Sequence, residues 1–155
     1  TAPGRPRAPK AARRYHQLLR EYARKYRLPV ALLKAVLETE SAGNHKAVSS
    51  AGAQGLMQLI PKTALRMGVA DSFDPRENIQ GGARYLRLLG DRFDDNIVLM
   101  IAGYHAGENA VERAGYKIPD IPSTRQYVTM VLRRYYRAKA AERAAAKKAA
   151  AVARE

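Results

Sequence analysis

Residues 33–60 read LKAVLETESAGNHKAVSSAGAQGLMQLI. On a helical wheel of about 100° per residue, Leu33, Val36 and Leu37 gather on one arc. Glu40 falls inside that arc, about 20° from Leu33, while Glu38 falls on the opposite, water-facing side. A carboxylate at the end of a buried stripe is costly unless it is paired or protonated. Desolvation raises its pKa and suits it to donate a proton near neutral pH. An inward glutamate paired with an arginine fits the same pattern. After Glu40-Ser41 the periodicity stops. Gly43, Asn44, Ser49, Ser50, Gly52 and Gly55 precede the apolar run 56–60, which predicts a polar loop with a small hairpin beside the helix end. The Ser49 and Ser50 hydroxyls and the Gln58 amide can hydrogen-bond hydroxyl and N-acetyl groups. Met57 can fill core or pack on an acetyl methyl or sugar face.

Outward from this stretch the chain reads as helix after helix. Apolar residues recur at helical spacing over 14–26 and again over 29–41, where Pro29 suits a first turn. Pro61 opens a short helix ended by Gly68. Asp74-Pro75-Arg76-Glu77 is a helix start, with a cap, a proline and a glutamate in their preferred places. It leads into the stripe Ile79, Gly82, Ala83, Leu86, Leu89 and Phe93. A helix follows over 95–106, and another begins near Ser123 and runs to Tyr136. Residues 138–155, nearly all alanine and charge, have high helix propensity and nothing to dock, so a protruding or frayed helix is expected. The class is mainly α. Three segments are expected: a flexible Pro/Arg arm over 1–13, a globular domain over 14–137, and a basic tail over 138–155.

The 155 residues contain no cysteine, which excludes disulfides and thiol chemistry. His16, His45 and His105 show no metal-ligand spacing. No apolar run reaches the roughly 18 residues of a membrane span. The 28 basic and 14 acidic side chains leave a net charge of +14. More than half of that excess sits in residues 1–14 and 138–155. A polyanionic neighbour is one reading of it, and a solubilising surface is the other. The arm lacks the apolar core of a signal peptide, so either a removed leader or a trimmed start is compatible with it.

Several ordered motifs carry a family resemblance: Glu40-Ser41, Gly55-Leu56-Met57-Gln58, Asn78-Ile79 with Gly82 and Tyr85, Tyr104-His105-Ala106-Gly107, and Thr124-Arg125-Gln126-Tyr127-Val128. Over roughly residues 15–137 the chain resembles the catalytic domain of the soluble-type lytic transglycosylases, which have the lysozyme-like fold and cleave bacterial peptidoglycan. The resemblance implies that Glu40 is the single catalytic acid. It implies that Ser41, Ser49, Met57, Gln58, Tyr104, His105 and Tyr127 contact substrate, while Asn78, Gly82 and Tyr85 are mainly structural. It further implies cleavage between N-acetylmuramic acid and N-acetylglucosamine with a 1,6-anhydro product, and no metal or cofactor. The implied setting is a monomer in a bacterial envelope, a phage particle or a secretion machine.

Three positions depart from the family pattern: His105 stands for an asparagine, Gly103 for an alanine and Ser123 for a glutamate. A protonated His105 would favour the Glu40 carboxylate and lower activity early on the acid side. Two other functions fit parts of the sequence. One is a lysozyme-type hydrolase using Asp94 or Asp95 to position water. The other is a non-catalytic basic module that binds wall polymer or nucleic acid, although no specific nucleic acid is expected.

Overall fold

The computed structural model describes residues 13–155, and its regular elements are all helices. In chain order the helices are α1 (His16–Lys25), α2 (Val30–Ser41), α3 (Pro61–Arg66), α4 (Pro75–Arg92), α5 (Ile97–Ala106), α6 (Glu108–Arg113) and α7 (Pro122–Ala153). All but Arg13 of the expected N-terminal arm lies outside the described residues.

α2 is the centre of the molecule. Ala31, Leu32, Leu33, Ala35, Val36 and Leu37 are all buried, so the helix is covered nearly all round. Its most extensive partner is α7, and α1 covers another face. α5 packs between α4 and α7 and completes the core with Met100, Ile101 and Ala102. Because α2 is enclosed, Glu38 is half-buried rather than turned to water as the wheel suggests.

The helix starts follow local chemistry. The Asp74 carboxylate accepts the Glu77 N–H at 2.9 Å, and Asn96 caps α5 by accepting from Leu99 N–H. Glu77 does not reach back to Asp74. It accepts from Ala70 N–H at 3.1 Å and so ties down the loop before α4. Pro29 sits in extended backbone just before α2 rather than in its first turn.

The expected hairpin is present as two isolated bridges, Val48 with Gln54 and Gln54 with Leu59, not as strands. Gln54 and Leu59 exchange both backbone hydrogen bonds around the Gly55–Gln58 turn. Asn78 of α4 fixes this turn. Its Oδ1 accepts from Met57 N–H at 2.7 Å, and its Nδ2 donates to the Gln54 and Ser72 carbonyls. Gly55 has φ +79°, and a Cβ there would lie 2.1 Å from the Ser72 carbonyl oxygen, so only glycine fits.

One helical feature goes beyond the sequence reading: α6 is an extra short helix that follows Gly107, where φ is +87°. The expected protruding helix over 138–155 is the unbroken continuation of α7 to Ala153.

Candidate active site

Glu40 lies in the last turn of α2, one residue from its end. Burial pushes its carboxyl up to about 7, and the Tyr127 hydroxyl pulls the other way. The C-terminal end of a helix dipole also disfavours a carboxylate. At neutral pH the group is therefore poised between donor and acceptor of a proton. Among the described residues no second carboxylate acts on its titration.

Two tyrosines flank it. Tyr104 of α5 is buried and donates to the Met57 carbonyl at 2.7 Å. Burial and the nearby Glu40 charge both hold its phenol well above the usual range. Tyr127 of α7 is 4% exposed, and its hydroxyl is buried with no completed hydrogen bond. It faces Glu40 closely enough to offset part of the burial effect on that carboxyl, and its own phenol is pushed up by burial and by Glu40. The His105 ring stacks on Tyr127, with centroids 4.7 Å apart and planes at 26°. His105 Nδ1 lies 3.0 Å from Thr124 Oγ1.

The remaining expected contacts are bound into the scaffold. Ser41 Oγ donates to the Leu37 carbonyl and accepts from Gly43 N–H, so it closes the helix end. Gln58 has φ +51° and donates both Nε2 hydrogens within its loop, to the Ala47 and Gly55 carbonyls. Met57 is fully buried and packs where a Gly82 Cβ would meet its Sδ at 2.4 Å. Its backbone carbonyl accepts from Tyr104. Ser49 is half-buried and accepts from Ala53 N–H, which leaves its own O–H proton free.

Behind Tyr104, Tyr85 packs with Glu108, a residue the sequence reading does not single out. The Tyr85 ring lies 5.5 Å from that of Tyr104, and its hydroxyl donates to Glu108 Oε2 at 2.7 Å. Arg66 pairs with the other Glu108 oxygen at 3.0 Å. Glu108 carries no periodic signal of its own, because it opens a short helix that no apolar stripe announces.

The sequence matches the transglycosylase SLT domain family over residues 17–120. The chain belongs to that family. It is 46% identical over 84 residues to a transglycosylase of Enterobacteria phage PRD1, covering 54% of this chain and 31% of that protein. It is 35% identical over 120 residues to the membrane-bound lytic murein transglycosylase C of Glaesserella parasuis, covering 66% of this chain and 33% of that one. The 70 kDa soluble lytic transglycosylase of Escherichia coli superposes with a TM-score of 0.71 at 32% identity, covering 79% of this chain and 24% of that one. The chain thus spans about a third of the length of these curated relatives and a quarter of that structure. The mainly α, lysozyme-like fold read from the sequence is the fold of this SLT domain.

Two departures from the family pattern have local causes. A Cβ at Gly103 would meet Leu89 Cδ2 at 2.8 Å, so the missing methyl lets α5 sit close on α4. Burial lowers the His105 pKa, so the ring stays neutral further into the acid range than the sequence reading assumes. Ser123 is exposed in the first turn of α7, and nothing in the structure explains its replacement of a glutamate.

A concavity of about 770 Å³ lies away from Glu40, lined by Arg66, Arg84, Arg87 and Arg92 with Tyr26 and Asp91. Arg66, Arg87 and Arg92 are paired there with Glu108, with Asp91 and Asp95, and with Glu112. Asp94 and Asp95 occupy the tight turn before α5, and Asp95 is held by Arg87.

Proposed function

We propose that this SLT domain is a peptidoglycan lytic transglycosylase in which Glu40 acts first as acid and then as base. The observation that carries this reading is a single half-buried carboxylate poised near 7, with no second carboxylate acting on it. Two-carboxylate glycosidases need a partner residue as nucleophile or base. Here the substrate supplies that partner.

In the first step Glu40 protonates the glycosidic oxygen, and the C1–O bond breaks to release the N-acetylglucosamine hydroxyl. The 2-acetamido carbonyl oxygen of the muramic residue bonds to C1 and holds the positive charge. In the second step the Glu40 carboxylate takes the proton of the C6 hydroxyl. The C6 oxygen then bonds to C1 and the acetamido group leaves. Glu40 ends protonated, water is not consumed, and the product carries a 1,6-anhydromuramoyl end.

The relatives support the substrate class: a murein transglycosylase by name, and a soluble lytic transglycosylase solved in complex with bulgecin A. Both a membrane-bound and a phage relative fit work at the bacterial envelope. We assign the site contacts to Glu40, Tyr127, His105 and Ser49, with Tyr104, Met57 and Gln58 shaping the loop behind them. The basic segment over 138–155 continues α7 and holds a monomeric enzyme to anionic envelope polymer.

Mass spectrometry of digested peptidoglycan tests the reading. Anhydro ends that disappear with Glu40→Gln support it. Reducing ends point instead to a hydrolase, and no cleavage by the parent leaves a binding module.

A further inference from the structure

His105 is fixed on two sides. One face stacks on Tyr127, and its Nδ1 edge meets Thr124, which is only 1% exposed. The Thr124 hydroxyl can donate to a bare Nδ1 or accept from a protonated one, so this anchor survives either charge state of the ring. His105 itself is exposed at the rim.

Tyr127 lacks any such anchor of its own. Its ring is buried, yet its hydroxyl completes no hydrogen bond. A buried hydroxyl left without a partner is costly, so its position relative to a nearby acceptor matters. Several charged and titratable groups on the packed elements are engaged elsewhere. Arg134 of α7 donates to Thr39 Oγ1, Arg125 pairs with Asp120, and Glu108 of α6 with Arg66 and Tyr85. Tyr104 of α5 donates to Met57. Glu40 is the carboxyl that Tyr127 faces, and each acts on the other's titration.

We propose that His105 is a positioning residue, clamping the Tyr127 ring so that its hydroxyl meets Glu40 when Glu40 is a carboxylate. The inference rests on the acid-then-base reading of Glu40. The clamp stabilises the charged form that must take the C6 hydroxyl proton in the second step. It opposes the burial that favours the protonated form for the first. His105 thereby balances the two halves of the reaction without touching the reacting atoms.

The test is a carbon-13 NMR titration of the labelled Glu40 side chain without substrate, in the intact chain and in Tyr127→Phe, His105→Ala, His105→Phe and the Tyr127→Phe/His105→Ala pair. His105 is exposed, so its variants should unfold at the parental temperature. The Glu40 midpoint should rise in Tyr127→Phe and in His105→Ala, with no further rise in the pair. His105→Phe keeps a stacked ring and should return the midpoint toward the parent. In turnover, His105→Ala should lower kcat roughly two- to tenfold, the rate equivalent of one aromatic pair, with KM nearly unchanged. An unmoved midpoint in either single variant, or additive shifts in the pair, overturns the clamp. A parent that releases no anhydro ends overturns the proposed activity instead, while the titration still decides the clamp.

Discussion

At the residue scale the proposed chemistry depends on one compromise, made at Glu40. Its carboxyl titrates near 7 because α2 carries it into the core. An unfolded glutamate titrates near 4.5. Between those values the folded chain keeps a proton that the unfolded chain has lost, so stability falls as pH rises from about 4.5 to 7 and is level above. Glu40→Gln removes this penalty. Denaturant unfolding should show the variant about 3 kcal/mol more stable at pH 8 and equal to the parent near pH 4. Peptidoglycan cleavage by the same variant should fall by at least about a hundredfold, the low end of general acid catalysis. In the parent, cleavage should decline as pH rises through about 7, where the donor is lost. Equal stabilities at pH 8 would mean that Glu40 is solvated and not tuned. The wheel could place Glu40 because a helix fixes direction by spacing alone. It could not place Ser41, Met57 or Gln58, because their orientations depend on bonds to Leu37, Asn78 and Ala47 that spacing does not encode.

At the element scale, long periodic helices are legible in the sequence and the short α6 is not. α4 announced itself through Asp74, Pro75 and a continuous stripe. α6 has six residues with Val111 as its one large apolar anchor, too little for a period to appear. α7 is legible to its end for a different reason, the high helix propensity of its alanine-rich last residues. Its last residues bury nothing, but the packed part already bears the nucleation cost, so each added alanine only propagates the helix. The loop between α2 and α3 has no helix or strand of its own and depends on Asn78. Asn78→Ala would leave the Met57 N–H and the Gln54 and Ser72 carbonyls without their side-chain partner. The loss should be about 3–5 kcal/mol in urea unfolding, because several buried polar groups lose partners at once. Cleavage should weaken even in folded protein, since Met57 carries the carbonyl that holds Tyr104. A cost below about 1 kcal/mol would show that the turn is held by its own backbone bonds.

At the scale of the whole molecule, body and extension obey different physics. The body is held by burial around α2, and salt should alter its stability little. Beyond Ala144 the exposed end of α7 carries Lys147, Lys148 and Arg154 against Glu155 alone. Glu142 marks the boundary: it is half-buried and raises the Lys34 pKa against the lowering by burial, so the helix still communicates with α2 at that point. A chain ending at Ala144 should therefore melt at the parental temperature. Its hold on anionic wall material should weaken at low salt, where exposed charges act over about 30 Å at 0.01 M. The two chains should converge near 1 M, where the screening length is about 3 Å. Cleavage of short glycan fragments, which need no long-range capture, should be the same in both. A drop in melting temperature would show that the helix end packs on the body. Equal retention at every salt concentration would assign its charge to solubility alone.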